Sequence, residues 1–291
     1  MACYCVILIE KNVTDMMKSL LTFFMLVLLL ASCSAERKMA NKLARDTSRI
    51  AVLLITTEEI YADQMTDPEV DGWENMDTYM QDSLRLVSSR VVKELSGKQY
   101  LNIFRQSYSR ELGRYGIKVF GESELDAFHS WEGDAWLVSL AQVEVQESVE
   151  KVRDDEVVNG ILYAYDFPVT NINIASWFEV ARVNASSDDP MEVLFASYDI
   201  SDDYQGYFTQ NFVTGEVGYR LSTDTLNLEK FYTAVAFTGR LYAGYTFDHI
   251  LNARLNNQIA AQEKTGRFYR YDPYRRFLFT TEKDKFVPIS E

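Results

Sequence analysis

Ile50-Ala51-Val52-Leu53-Leu54-Ile55 is the stretch from which the fold is read. It is an unbroken apolar run, rich in β-branched side chains and too short to be a buried helix. That pattern predicts a strand covered on both faces, as in a sheet with layers on either side. Downstream, Met76, Met80, Leu84, Val87, Val91 and Leu95 recur at steps of three and four, the stripe of an amphipathic helix. Gly97 breaks that pattern, and Leu101, Phe104, Tyr108 and Leu112 define a second helix. Gly113 and Gly116 end it, before a short strand at Ile117–Phe120.

Strand signals then follow one another. Ala135–Val145 is apolar and partly alternating, and Val157–Tyr165 reads as a further strand. Ile172, Ile174, Phe178 and Val180 lie on one face at period two, and Met191–Ile200 returns after the turn residues Asn184–Pro190. Tyr207–Leu221 adds short strands about Thr214-Gly215. Leu226–Asn257 carries a long helical pattern, in which Gly239 and Gly244 each cost about 1 kcal/mol relative to alanine. They mark a break or a close helix–sheet contact. The order predicts an α+β fold, with α/β as the nearest variant: a mixed β-sheet with packed helices.

The early part of the chain resembles the periplasmic α/β domains of the TolB amino-terminal and curli-secretion lipoprotein families. The matching elements are Ile50–Ile55, the helical stretch Tyr79–Leu112 and the strand Ile117–Phe120. The resemblance covers about a quarter of the chain and implies the fold only.

Upstream, Lys18 leads into the apolar run Leu20–Leu30, which ends in Leu30-Ala31-Ser32-Cys33. The run is well short of the roughly 20 residues that span a bilayer and has the length of an export signal core. Leu30–Cys33 resembles the lipobox of bacterial lipoproteins. The resemblance implies cleavage before Cys33, lipidation of its thiol, and a body held to the lipid bilayer by its acyl chains. Residues 1–32 are therefore read as a signal peptide. Its start is Met16 or Met17, because Glu10 and Asp15 do not suit the region before a signal core. Ser34, where aspartate often signals inner-membrane retention, implies the outer membrane. Ala35-Glu36-Arg37-Lys38 lacks the acidic run tied to surface export in Bacteroidetes-like lipoproteins, which implies a periplasm-facing position in the cell envelope. The remaining divisions are a lipidated tether at 33–49, a globular domain at 50–265 and a C-terminal arm at 266–291.

Composition narrows the function. The net charge of −14 argues against nucleic acid and against direct attraction to anionic lipid. The cysteines are Cys3, Cys5 and Cys33, so removal of the signal leaves a body without disulfide, thiolate nucleophile or cysteine metal site. His129 and His249 are the only histidines, and neither HExxH spacing nor a phosphate-binding glycine loop occurs. No cofactor is expected. Asp248-His249 offers an acid–base dyad, but its helical setting favours a structural histidine. Asp67, Glu69 and Asp71 alternate before Gly72 like the opening of a calcium loop, yet Thr78 stands where the closing bidentate glutamate belongs. Ser197–Asp203 is a second acidic cluster. Asp134, Asp166 and Asp199, near strand ends, are candidates for carboxylate-pair glycan hydrolysis.

The tail is the most partner-like feature. Arg267, Tyr269, Arg270, Tyr271, Tyr274, Arg275 and Arg276 enrich it in the residue types of binding hot spots. The other reading is an arm whose aromatics cover a sheet and whose arginines pair with the acidic body. The expectation is a non-enzymatic binding or assembly module, with an envelope protein or a glycan as partner. The alternatives are a tethered hydrolase acting on glycan or peptidoglycan, and an oligomeric secretion component.

Overall fold

The computed structural model describes residues 35–183, 191–259, 264 and 266–289. The export signal, Cys33 and the Asn184–Pro190 turn lie outside the described residues. The chain divides into two units: Ser48–Thr246 with Lys285–Glu291, and a smaller one made of Met1–Thr47 with Phe247–Asp284.

The larger unit is built on a mixed sheet, as the strand and helix patterns predict. Strand β1 (Ile50–Thr56) pairs in parallel with β3 (Lys118–Gly121) on one side and β4 (Asp134–Val158) on the other. The sheet continues antiparallel through β5 (Ile161–Val183) and β6 (Glu192–Ser201) to β11 (Val287–Pro288), while β2 (Tyr61–Gln64) adds in parallel to β4. Two further strands, β7 (Asp203–Gln210) and β8 (Val217–Asp224), form a separate hairpin.

β1 is buried on both faces. Ala51 and Leu53 join Phe120, Ala135 and Phe128, the last from the short helix α4 (Leu125–His129). Helix α3 (Gly97–Arg114), whose Ser96 side chain caps the Gln99 N–H, supplies Tyr100, Phe104 and Tyr108 to an aromatic core. Phe104 meets Phe178 of β5 at 6.3 Å, and Phe178 meets Phe286 at 5.1 Å. Helix α5 (Leu228–Gln258) runs unbroken through Gly239 and Gly244. Gly239 permits a close approach of two helices: a Cβ there would lie 2.9 Å from the Phe104 carbonyl oxygen. The contact predicted for it was with the sheet; the partner is α3.

Three expectations are corrected. The first helix is shorter than its stripe: α2 spans Thr78–Ser88, and Ser89 is extended. The N–H groups of Arg90, Val91 and Val92 point at the Glu147 carboxylate instead of continuing the helix. The run Val157–Tyr165 is not one strand. Asn159 and Gly160 both have positive φ, so they turn the chain between β4 and β5. The tether at 33–49 contains helix over 35–45, here α1, with Ala40, Leu43 and Ala44 buried. Its partial helical spacing outweighs its polarity because those small and apolar residues share one face.

The smaller unit holds α1, the last turns of α5 and the hairpin β9 (Phe268–Asp272) and β10 (Phe277–Thr281). The Arg254 guanidinium donates to the Leu43 and Asp46 carbonyls at 3.3 and 3.1 Å, a cation placed where helix carbonyls lack partners. The Asn252 amide grips β9: Nδ2 donates to the Tyr269 carbonyl at 2.7 Å and Oδ1 accepts the Tyr269 N–H at 2.9 Å. Asp248 is buried beside it, accepting from the Tyr271 N–H and from Arg270 Nε.

Candidate assembly surface

The ladder between β4 and β5 runs from Ala135↔Val183 to Val158↔Ile161, in strands of 25 and 23 residues. The rest of the sheet stops early. β2 pairs with β4 only as far as Glu147, and β6 pairs with β5 only from Asn171. Pairs Val149↔Thr170 to Val158↔Ile161 therefore form a two-stranded ribbon, about 30 Å long at the usual rise per residue. The Asn159-Gly160 turn at its tip is the dipeptide that best fits a right-twisted two-residue hairpin.

Period-two alternation places Tyr163, Tyr165 and Phe167 on one face of the ribbon. The β7–β8 hairpin packs on it. Tyr165 and Tyr219 stack with centroids 4.4 Å apart, and Phe167 meets Tyr204 edge-on at 4.9 Å. Tyr219 Oη donates to Asp154 Oδ2 at 2.7 Å. Partial burial first, and that carboxylate second, push the Tyr219 phenol up to about 12. Gly206 makes room for this ring, since any Cβ there would overlap the Tyr219 hydroxyl. Asn159 Nδ2 donates to Gln210 Oε1 at 3.1 Å, which sets the two tips side by side. There Phe212 is 99% and Val213 94% exposed, beside exposed Val157, Ile161 and Leu162. Together the hairpins form an arm.

The arm is rooted by two buried carboxylates. Glu147, 1% exposed, accepts the N–H groups of Arg90, Val91 and Val92 at 2.5, 2.8 and 3.0 Å. Asp202, 3% exposed, stands where β6 gives way to β7. It accepts the Thr170 and Leu226 N–H groups and Arg90 Nη1. Burial alone would raise its pKa; the two amides and the Arg90 guanidinium outweigh burial and hold it below the usual carboxylate value. Arg90 thus joins both acids, its amide to one and its guanidinium to the other. The two knots fix the roots of both hairpins.

The predicted sites fare differently. Asp67 is held by Arg85 at 2.7 Å. Among the described residues no three acid, histidine or cysteine side chains converge as metal donors. Asp134 pairs with Arg182, Asp166 with Lys151, and Asp199 accepts from Asn173, at separate places along the ladder. His249 lies 3.4 Å from Asp284. In the tail, Tyr269 is 2% exposed and Arg270 is taken by Asp248, which removes both from an exposed partner surface. Tyr271 is partly buried against Phe247; Arg267, Tyr274, Arg275 and Arg276 are exposed. No described helix is long and apolar enough to cross a membrane. The arm and Glu147 were missed from sequence, although Asn159-Gly160 between Val157-Val158 and Ile161-Leu162 was a signal for the arm. Asp202 falls in the acidic cluster Ser197–Asp203, and its place is at the arm's root.

No family model, no curated protein and no solved structure matches this chain.

Proposed function

We propose that the chain is a non-enzymatic assembly module of the cell envelope, lipid-anchored through Cys33, and that the paired hairpins are its assembling part. The observation that carries this reading is the ribbon itself. Two strands leave the sheet for about 30 Å. Beyond the base, where Thr66 and Asp202 hold the Val149 and Thr170 backbone groups, no described strand pairs with their outer edges. Beside them β7 and β8 pair with each other and with no other described strand. Bare edges invite pairing with another chain, and an isolated hairpin is marginal alone. The apolar tips add surface that a lone soluble protein would not normally present.

Of the assemblies open to such a module, an oligomeric secretion component fits best, because hairpins from several copies would complete one another's edges. The hydrolase reading finds little support, since its candidate acids are dispersed and paired. The exposed tail residues Arg267, Tyr274, Arg275 and Arg276 are a second contact for an envelope protein or glycan.

The anchor is tested with Cys33→Ser. The variant is expected to stay unprocessed and to lose its acyl-dependent sedimentation with membranes. Trimming and sedimentation like the wild type would overturn the anchored reading.

A further inference from the structure

A cleft of about 630 Å³ opens outside the carboxyl ends of the parallel strands β1 and β3. Open sheets with parallel strands take their ligands at such ends. Its two walls carry opposite charge. Helix α3 supplies Lys98 and Arg105, while the strand ends supply Glu58 and Glu122. Lys98 and Glu58 make no ion pair with each other or with any other described residue. The inner pair, Arg105 and Glu122, is a long ion pair at 4.0 Å on the cleft wall, each group also held by Thr56: Arg105 donates to its Oγ1, and Glu122 accepts its N–H at 3.2 Å. Gln99 and Asn102 add neutral polar groups, and Leu101 gives an apolar lining. A cation and an anion left apart across a cavity are complementary to a molecule that carries both charges.

We propose that this cleft binds a small zwitterion, a free amino acid or short peptide. Its carboxylate lies toward Lys98 and Arg105, and its ammonium toward Glu58 and Glu122. The site is independent of the assembly reading, since none of these residues belongs to the arm.

The test is calorimetric titration of the purified chain with L-alanyl-L-alanine, its N-acetylated form and its C-terminal amide. The free dipeptide is expected to bind, and either cap to weaken it at least tenfold. Lys98→Met, an exposed substitution whose folding circular dichroism checks, should weaken the free dipeptide and leave the amide unchanged. Absence of binding by the free dipeptide, equal binding of the capped forms, or wild-type behaviour of Lys98→Met would each overturn the proposal.

Discussion

Glu147→Gln and Asp202→Asn are each expected to lower folding stability by about 1–3 kcal/mol, the cost of leaving a buried hydrogen-bonding group without its partner. The amides keep the side-chain volume, so the loss isolates charge and hydrogen bonding. In Glu147→Gln an NH₂ group replaces one carboxylate oxygen and faces the same inward-pointing N–H groups of Arg90, Val91 and Val92. At least one buried donor then loses its acceptor, at about 1–3 kcal/mol. In Asp202→Asn the Thr170 and Leu226 amides compete for a single oxygen, and Arg90 loses its counter-charge. Denaturant unfolding near pH 7 measures both. Because the folded-state pKa of Asp202 is depressed, its contribution is present above the unfolded value near 3.8 and is lost as pH falls through the lower folded one. The Asp202→Asn deficit should therefore shrink in acid. Wild-type midpoints for both variants would show that the carboxylates do not hold the arm's root.

The second large effect is a pH dependence of opposite sign. Burial pushes the Asp248 carboxyl up from 3.8 to about 7, with Asp284 adding to the rise, against the opposing pull of the Tyr271 N–H and Arg270. A raised folded-state value means that the native state binds the proton more tightly than the unfolded chain. Stability is then greatest below about pH 4 as far as this group is concerned, and falls as pH rises toward 7. A rise from 3.8 to about 7 corresponds to a loss on the order of 4 kcal/mol. Denaturant melts at pH 5 and pH 8 should show the smaller unit more stable at pH 5. Asp248→Asn, which does not titrate, should flatten that difference, and an unchanged slope in the variant would assign the dependence to other groups.

The layered sheet was legible because its signals are local. The Ile50–Ile55 run is apolar throughout since both faces of β1 are covered, and the period of Ile172, Ile174, Phe178 and Val180 matches one face of β5. What escaped depends on partners distant in sequence. The stripe from Met76 to Leu95 is helical by spacing, but Glu147, more than fifty positions later, captures the amides that would have continued the helix. The ribbon carries charges such as Arg153, Asp154, Asp155 and Glu156, so its alternation is weak on the β4 side and clear only on the β5 side. The tail was read half correctly. Its arginines and tyrosines mark a hairpin, but the burial of Tyr269 is set by Asn252 on a helix that composition cannot place beside it.

On the proposed reading, the paired hairpins assemble copies of a lipid-anchored module. The most direct measurement is the native mass of the protein extracted from membranes in mild detergent, compared with a variant in which residues 151–168 are replaced by Asn-Gly. That replacement joins Glu150 to Val169, which already face each other in the ladder, through a turn of the kind the arm now uses. The wild type is expected as a particle of several copies and the shortened chain as a folded monomer. A monomeric wild type, or a shortened chain that keeps the full particle mass, would contradict the account.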